Sequence, residues 1–289
     1  MKELVIISGK GGTGKTSIAA SFATLAKNKI LADCDVDAAD LHLILKPKIK
    51  QREDFYGGKI AYINNDICTE CGKCREVCQF DAISEDYIVE KISCEGCSVC
   101  LAFCPVDAID FKDHLNGEWY ISETRFGLLV HAKLGVAEEN SGKLVALVRR
   151  QAKLLAEENT LDFVLIDGAP GVGCPVISSI TGANAVLVVT EPTLSGLHDL
   201  ERVSLLSANH FGIPTFVCVN KYDLNSEITD QIESFCREKN INFVGKIPYD
   251  NVVTEAMVQS KSVVEFSDGA VTKEIKNIWS VMIESMNPN

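Results

Sequence analysis

The chain has 289 residues, of which 46% are hydrophobic and 24% charged, as in a globular protein with an ample core. Its net charge of −12 disfavours broad binding to nucleic acid and stable association with anionic membranes. The apolar segments are too short for a signal peptide or a membrane span. Twelve cysteines without an export signal indicate metal or redox chemistry, and they predict a cytoplasmic protein.

The first predicted elements are a strand at residues 4–7, a glycine-rich loop, and a helix at residues 16–26. The loop matches the phosphate-binding pattern G-x4-G-K-[ST]. In that pattern, backbone N–H groups surround phosphate oxygens, the lysine reaches the β- and γ-phosphates, and the following hydroxyl ligates Mg²⁺. Thr16 is therefore a predicted Mg²⁺ ligand. The residues predicted to bind the nucleotide are Gly11, Gly12, Thr13, Gly14, Lys15, Thr16 and Ser17.

A second lysine, Lys10, extends the loop to K-G-G-x-G-K-[ST]. This sequence resembles the deviant Walker A loop of the MinD, ParA and nitrogenase iron protein ATPases. In that family the additional lysine reaches across a nucleotide-sandwich dimer to the partner's phosphates. The resemblance implies an ATPase that forms a homodimer through its nucleotide site, with Lys15 acting in cis and Lys10 in trans. A solvated loop lysine is the alternative for Lys10.

Acidic residues follow the second predicted strand, at residues 29–32. The resemblance identifies Asp35 as a catalytic switch I carboxylate that orients the attacking water or Mg²⁺, with Asp33 beside it. Asp37 and Asp40 are predicted to cap the next helix. The basic residues between positions 46 and 52 alternate with others and precede two acidic ones, so we predict a solvated loop there.

Residues 64–111 contain eight of the twelve cysteines and repeat with an offset of 26 residues. The turn-forming pairs Gly57-Gly58 and Asn116-Gly117 flank this segment, which favours an inserted module. We predict a division into residues 1–58, 59–115 and 116–289, with the middle part as the insertion.

The cysteines form two C-x2-C-x2-C-x3-C runs, which resemble those of bacterial ferredoxins that hold two [4Fe–4S] clusters. In such a pair of runs, three thiolates bind one cluster and the fourth binds the other. Zinc is the alternative, although zinc sites rarely use this spacing. The ligands implied for cluster one are Cys68, Cys71, Cys74 and Cys104. Those implied for cluster two are Cys94, Cys97, Cys100 and Cys78.

Strands and helices alternate again after the cysteine segment. Apolar strands are predicted at residues 163–166, 185–189, 215–219 and 243–246, and helices at 143–158, 197–210 and 227–239. This alternation predicts an α/β fold, a mostly parallel sheet with helices on both faces, of the P-loop NTPase type. The insertion adds a small ferredoxin-like α+β module.

Asp167 ends a predicted strand and precedes Gly168-Ala169-Pro170-Gly171. This segment resembles the Walker B strand and switch II, which implies that Asp167 holds Mg²⁺ through water. Cys174 stands where the nitrogenase iron protein has a cysteine that ligates a cluster bridging its dimer. The second cysteine that such a bridge needs has no counterpart near Glu139, so we predict a packed thiol or a transient metal site instead.

The base of the nucleotide is less sharply specified. Asn220, Lys221 and Asp223 form an N-K-x-D pattern, which GTPases use to read guanine. The family resemblance instead favours ATP, with Asn220 contacting the adenine. GTP stays the alternative.

Two functions are compatible with these features. The first is an ATPase switch coupled to iron–sulfur clusters, in electron delivery or in metal-cofactor or iron–sulfur assembly. Ten acidic and three basic residues in the segment 64–111 favour docking onto a basic redox or metallocofactor partner, although a ferredoxin surface is generically acidic. The alternative is a MinD-like spatial-organisation ATPase with structural or sensory clusters. A ligase resembling cobyrinic acid a,c-diamide synthase is disfavoured, because no room remains for a glutaminase domain.

The C-terminal segment carries an apolar stripe at helical spacing. Its polar face has lysines balanced by glutamates, so we predict packing on the sheet instead of membrane binding. The stripe consists of Val271, Ile275, Ile278 and Met282.

Overall fold

The structure, a computed structural model, describes residues 1–135 and 141–286. The chain divides into two compact units. The large unit contains Met1–Arg52, Trp119–Lys133 and the chain from Ser141 onward, and the small unit contains Glu53–Glu118 and the segment that begins at Leu134. Each unit is described by itself below.

Nine strands form one sheet in the order β3-β4-β5-β2-β6-β1-β7-β8-β9. All six pairings between neighbours from β5 to β9 are parallel. The α/β class with a mostly parallel sheet is thereby confirmed. The strands are β1 (Lys2–Ser8), β2 (Lys29–Asp33), β3 (Lys48–Ile63), β4 (Ile109–Thr124), β5 (Gly127–Leu134), β6 (Phe163–Pro170), β7 (Ala185–Thr190), β8 (Thr215–Asn220) and β9 (Asn242–Ile247).

The helices are α1 (Lys15–Leu25), α2 (Leu41–Leu45), α3 (Lys73–Glu76), α4 (Val99–Ala102), α5 (Ser141–Glu158), α6 (Cys174–Ile180), α7 (Leu194–Ser204), α8 (Ser226–Glu238), α9 (Val252–Val258), α10 (Val263–Phe266) and α11 (Ala270–Met286). Helices α1 to α8 lie between strands along the chain, and α9 to α11 follow the last strand. A π-helical segment, Leu205–His210, continues α7. No helix within residues 1–135 and 141–286 combines the length and the apolar character that crossing a bilayer requires.

The core of the large unit forms because the central strands are mostly apolar and buried. Every residue of β7 is buried, as in a parallel sheet covered on both faces. The apolar stripe of α11 is buried in the same core, which confirms that this helix packs on the sheet. The Phe22 ring of α1 contacts the Trp279 ring of α11, with centroids 4.9 Å apart.

The small unit repeats its backbone with the 26-residue offset seen in the sequence. Helices α3 and α4 are related by this offset. Three pairs of residues with left-handed backbone are related in the same way, and they are Glu70 and Gly96, Gly72 and Ser98, and Asp81 and Asp107. Gly96 also has a steric reason to be glycine, since a Cβ there would lie 2.3 Å from the carbonyl oxygen of Lys59.

Two expectations about the segments around the small unit are wrong. The solvated loop predicted between residues 46 and 52 is the exposed first part of β3, because the backbone pairs in the sheet although the side chains face solvent. Gly57-Gly58 and Asn116-Gly117 lie within β3 and β4, not in turns. The Asn116 Oδ1 atom accepts hydrogen bonds from the N–H groups of Gly57 at 2.7 Å and of Gly58 at 3.1 Å.

Candidate functional site

The phosphate-binding loop connects β1 to α1 at the carboxyl end of the parallel strands. Gly12 and Gly14 have φ angles of 81° and 88°, which glycine adopts at little cost. A Cβ on Gly14 would lie 2.4 Å from the Asn220 Nδ2 atom. That amide nitrogen donates a hydrogen bond of 2.8 Å to the Thr13 carbonyl oxygen. Asn220 at the end of β8 therefore holds the loop in place.

Lys15, the first residue of α1, joins the ends of two strands. Its ammonium lies 2.7 Å from the Asp167 Oδ1 atom of β6 and 3.3 Å from the Asp35 Oδ2 atom that follows β2. Lys15 and Asp167 are almost fully buried. The structure thus brings together the cis lysine and both carboxylates that the sequence predicts at the phosphate and Mg²⁺ site.

Asp33 lies beside Asp167 and helps to fix the position of Asp35. It pairs in register with Asp167 on the neighbouring parallel strand and is fully buried. Its carboxylate oxygens accept hydrogen bonds from the N–H groups of Asp35 and Leu41, both at 3.2 Å. Asp33 is therefore a positioning residue for the segment that carries Asp35.

The predicted capping of α2 by Asp37 or Asp40 is wrong. Asp40 occupies the N-cap position, but its side chain makes no capping hydrogen bond, and Asp37 is exposed. The N–H group of Leu41 at the start of α2 is instead satisfied by Asp33, eight residues earlier. A carboxylate fixed in a buried strand can reach this N–H group without the loss of side-chain freedom that an exposed cap requires.

Burial and charge act in opposite directions on the pKa values of these groups. Burial lowers the pKa of Lys15, but Asp167, Asp35 and Asp33 outweigh it, so that the pKa lies above its ordinary value. Burial raises the pKa of Asp33 well above its usual range, and Asp167 raises it further while Lys15 opposes the shift. Burial also raises the pKa of Asp35, again against Lys15. The site therefore has three carboxyl groups around one lysine, and burial disfavours the charged forms of Asp33 and Asp35.

Two buried oxygen atoms of this site have no hydrogen-bond partner among the described residues. They are Asp167 Oδ2 and Thr13 Oγ1. A buried polar atom without a partner costs about 1–3 kcal/mol, and a bound ligand can offset that cost. Carboxylate and hydroxyl oxygens are the ligand types that Mg²⁺ prefers. The donor set therefore fits Mg²⁺ together with a phosphate group.

Lys10 lies at the rim of the loop and is partly exposed, with 36% of its side chain accessible. Its ammonium is 3.3 Å from Ser195 Oγ, 3.5 Å from Thr193 Oγ1 and 3.8 Å from Glu191 Oε2. The other oxygen of Glu191 pairs with Lys221. Glu191 thus anchors two lysines beside the phosphate loop.

The N-K-x-D residues make contacts within the protein. The Asn220 Oδ1 atom accepts a hydrogen bond from the Lys221 N–H group at 3.1 Å. The Lys221 ammonium donates to the Gly12 carbonyl oxygen at 3.4 Å. The Asp223 Oδ1 atom accepts a hydrogen bond of 2.7 Å from the Tyr249 N–H group. These residues brace the loop and its surroundings, and the contact of Asn220 with adenine stays a prediction.

Eight cysteines of the small unit line two separate cavities. The first is lined by Cys68, Cys71, Cys74 and Cys104. The second is lined by Cys78, Cys94, Cys97 and Cys100. These are the same two sets of four that the ferredoxin resemblance implies, with the fourth cysteine of each run exchanged. We call them cage one and cage two.

The cages have the donors that a cluster requires. No group of three or more His, Cys, Asp or Glu side chains in the described parts of the chain is arranged to hold a metal ion. Backbone N–H groups also approach the sulfur atoms, Glu70 to Cys68 at 3.4 Å and Ala108 to Cys104 at 3.3 Å. Such hydrogen bonds are typical around clusters, and they tune their potentials.

The remaining four cysteines differ in their burial. Cys34, Cys218 and Cys236 are buried, as expected for small apolar side chains. Burial raises the pKa of Cys218 and of Cys236 to about 12, which keeps these thiols protonated. Cys174 is exposed at the start of α6, so the packed thiol predicted there is wrong, whereas the transient metal site stays a prediction. Glu139, near which the second ligand of a bridging cluster would fall, lies outside the described residues.

One residue of the site escaped the sequence analysis. Glu191 directly follows β7, just as Asp167 ends the apolar part of β6. An acidic residue at the carboxyl end of a fully buried parallel strand is the signal that could have identified it.

The glycine-rich loop lies between β1 and α1, and the carboxylates of neighbouring strands pair with its Lys15. These features define a P-loop nucleotide-binding protein. The profile of the CobQ/CobB/MinD/ParA nucleotide binding domain matches residues 4–263, and the chain belongs to this family.

The chain is also similar to several individual proteins. It is 36% identical to the uncharacterized protein MJ0578 of Methanocaldococcus jannaschii, over 98% of this chain and 96% of that protein. Its fold resembles the cell division ATPase MinD of Pyrococcus furiosus, with a TM-score of 0.60 and 17% identity over 98% of this chain and 99% of that one. A stretch covering 23% of the chain is 37% identical to a ferredoxin 7Fe of Hydrogenibacillus schlegelii, over 94% of that protein. This match confirms that part of the chain resembles a ferredoxin.

Proposed function

We propose that this protein is a cytoplasmic ATPase switch whose nucleotide state is coupled to two [4Fe–4S] clusters, in electron delivery or in the assembly of a metal cofactor. One observation carries the proposal. A single chain holds a Lys15–Asp35–Asp167 phosphate site and, in its other unit, two cavities that are each lined by four cysteines.

The nucleotide part of the proposal assigns a role to each group of the site. Lys15 exchanges its carboxylate partners for the β- and γ-phosphates of ATP, while Asp167 and Thr16 bind Mg²⁺. Asp35 orients the attacking water. Since Asp35 and Asp167 both lose the Lys15 ammonium in this exchange, both segments sense whether the γ-phosphate is present.

Lys10 is proposed to act on the phosphates of a second copy of the chain. Its contacts with Glu191, Thr193 and Ser195 support this role, because they hold the ammonium at the rim of the loop, apart from Asp35 and Asp167. Lys10→Ala is expected to keep nucleotide binding and to lose hydrolysis and dimer formation. Lys15→Ala is expected to lose tight binding itself. Isothermal titration with a non-hydrolysable ATP analogue and sedimentation velocity distinguish the two, and equal loss of binding in both variants contradicts the trans role.

The cluster part assigns cage one and cage two one [4Fe–4S] cluster each. The acidic surface of the small unit would dock onto a basic redox or metallocofactor protein. Protein isolated without oxygen is expected to contain about eight iron atoms per chain, two clusters of four. Its absorbance at about 400 nm should bleach on reduction.

Cys71→Ser tests this assignment, with Cys174→Ser as the matched control. Cys71 lines cage one, whereas Cys174 belongs to the large unit. We expect the first change to remove about half of the iron and the second to remove none. Stoichiometric zinc without a chromophore in the wild-type protein would rule out the clusters.

A further inference from the structure

A groove in the small unit is used by neither the nucleotide site nor the cages. Its volume is about 640 Å³, within the range of roughly 300–1,000 Å³ that small-molecule sites occupy. All of its lining residues lie between Tyr56 and Leu115, within the small unit.

The groove is lined by aromatic and aliphatic side chains that stay in contact with water. Three tyrosines, Tyr56, Tyr62 and Tyr87, contribute to the lining. Tyr56 is 56% exposed and Tyr62 is 48% exposed. Ile88 beside them is 59% exposed. A flat aromatic molecule would cover these surfaces and stack on the rings, which is favourable beyond the area that it buries.

The charges of the groove are opposite to those of the unit around it. Residues 53–118 contain fourteen acidic and five basic residues. Two of the five basic residues, Lys91 and Lys112, line the groove, but only one acidic residue does, Asp113. The Asp113 carboxylate lies 3.8 Å from the Lys59 ammonium. The groove is therefore the place on this acidic unit that favours an anionic group.

In the groove, the side chain of Lys112 contacts the ring of Tyr62. The Lys112 Nζ atom lies 3.3 Å from the centroid of the Tyr62 ring, a close cation–π contact. An aromatic anion can compete for both partners, because its ring system can replace the Lys112 ammonium on the face of Tyr62 while its negative charge pairs with that ammonium.

The groove also adjoins both cysteine cages. Ile63 and Tyr87 line the groove and the cavity of cage one. Ala61 and Val89 line the groove and the cavity of cage two. Single side chains thus separate a molecule in the groove from either cage.

We propose that this groove binds a flat, aromatic, negatively charged molecule of the flavin mononucleotide class. The ring system lies against Tyr62 and the phosphate group pairs with Lys112 and Lys91. That the ligand is an electron carrier rests on the proposed function, because its place beside the cages matters only when they hold clusters. The binding itself follows from the lining of the groove.

The experiment is equilibrium dialysis of the full chain, purified without oxygen, against flavin mononucleotide and against riboflavin, which lacks the phosphate. We expect saturable binding of flavin mononucleotide and at least tenfold weaker binding of riboflavin. Tyr62→Ala and Lys112→Glu should each weaken the binding of flavin mononucleotide at least tenfold. Arg75→Glu is the matched control, since it changes the net charge of the same unit equally but lies outside the lining and pairs with the exposed Glu85, and it should keep the affinity within about twofold.

Iron content is measured on every sample, so that the two proposals fail separately. If the protein contains iron but does not bind flavin mononucleotide, or binds it equally in all variants, the result contradicts the proposed ligand site in the groove but not the proposed clusters. If the protein binds flavin mononucleotide with the expected variant pattern but holds no iron, the proposed clusters are contradicted and the proposed ligand site is supported. If Lys112→Glu does not fold, the exposed Lys91→Glu takes its place.

Discussion

The ammonium of Lys15 and the carboxylate of Asp167 lie 2.7 Å apart, and both side chains are almost completely buried. Removing one partner from such a pair leaves a buried charge without compensation and costs about 3–5 kcal/mol. The cost is aggravated here because Asp33 and Asp35 are close to the same ammonium. Lys15 is therefore required by the fold in addition to its proposed role in nucleotide binding.

The first prediction separates these two roles. Lys15→Ala should lower the free energy of unfolding at neutral pH by about 3 kcal/mol. The double variant Lys15→Ala/Asp167→Asn should recover part of that loss, because one of the three carboxylates left without the lysine is neutralised, yet it should still not bind nucleotide. Urea unfolding together with nucleotide titration measures both. Recovered stability with recovered binding would show that Lys15 does not contact the phosphates.

The second prediction uses two glycines of the same loop. A Cβ on Gly14 meets the Asn220 Nδ2 atom at 2.4 Å, and the φ angle there is 88°. A Cβ on Gly11 meets nothing within 4 Å. Gly14→Ala should therefore abolish nucleotide binding, while Gly11→Ala should weaken it less than about tenfold. Titration of both variants with nucleotide decides the matter, and equal affinities would mean that the loop rearranges freely.

The loop and the strand-end carboxylates could be predicted because they follow apolar runs. The backbone of a phosphate loop is encoded by glycines, Asp33 ends β2, and Asp167 follows the apolar part of β6. The Asn220 contact with Thr13 joins residues 207 positions apart, and local sequence patterns contain no information about such a contact.

The strands β3, β4 and β5 were not predicted, and for β3 the reason is a different one. The first seven residues of β3 are all exposed, so the segment lacks the apolar signal by which strands are recognised. Its pairing comes from backbone hydrogen bonds, for which every residue offers a carbonyl group and every residue except proline an N–H group. Gly57-Gly58 in β3 and Asn116-Gly117 in β4 resemble turns in the sequence, because glycine and asparagine are common in turns, although here they lie within strands.

The third prediction concerns His131 on β5. Burial, with a smaller contribution from His42, lowers the pKa of His131 to about 4. The unfolded chain takes up a proton near pH 6.5, whereas the folded protein does so only near pH 4. Stability contributed by the neutral ring is thus complete above pH 6.5 and is lost as the pH falls from 6.5 towards 4.

His131→Gln removes this dependence, since glutamine does not titrate and can still bond to Ser122, whose Oγ lies 2.9 Å from the His131 Nε2 atom. Between pH 7 and pH 5 the wild-type protein should lose about 2 kcal/mol more than the variant. Urea unfolding at the two pH values is the measurement, with the exposed His198→Gln as control. The same loss in the His131 variant as in the wild-type protein would assign the acid sensitivity to other groups.

The last prediction concerns coupling between nucleotide and clusters. In the chain, the cysteine segment lies between Asp35 and Asp167, the two carboxylates that share Lys15. If a γ-phosphate withdraws Lys15 from both, then nucleotide must shift the cluster potentials, and reduction must shift nucleotide affinity reciprocally. Allosteric couplings of about 1–3 kcal/mol correspond to roughly 40–130 mV for a one-electron cluster.

We therefore expect that the reduction potential of at least one cluster differs by about 40–130 mV between the Mg-ATP and Mg-ADP states. The test is a redox titration in the two nucleotide states, followed by electron paramagnetic resonance. Asp35→Asn is the matched variant, because it keeps the shape of the side chain but removes the charge that Lys15 leaves behind, and it should reduce the shift. Identical potentials in both states, with identical nucleotide affinities of oxidised and reduced wild-type protein, would mean that the clusters are structural, and a spatial-organisation ATPase would then be the better proposal.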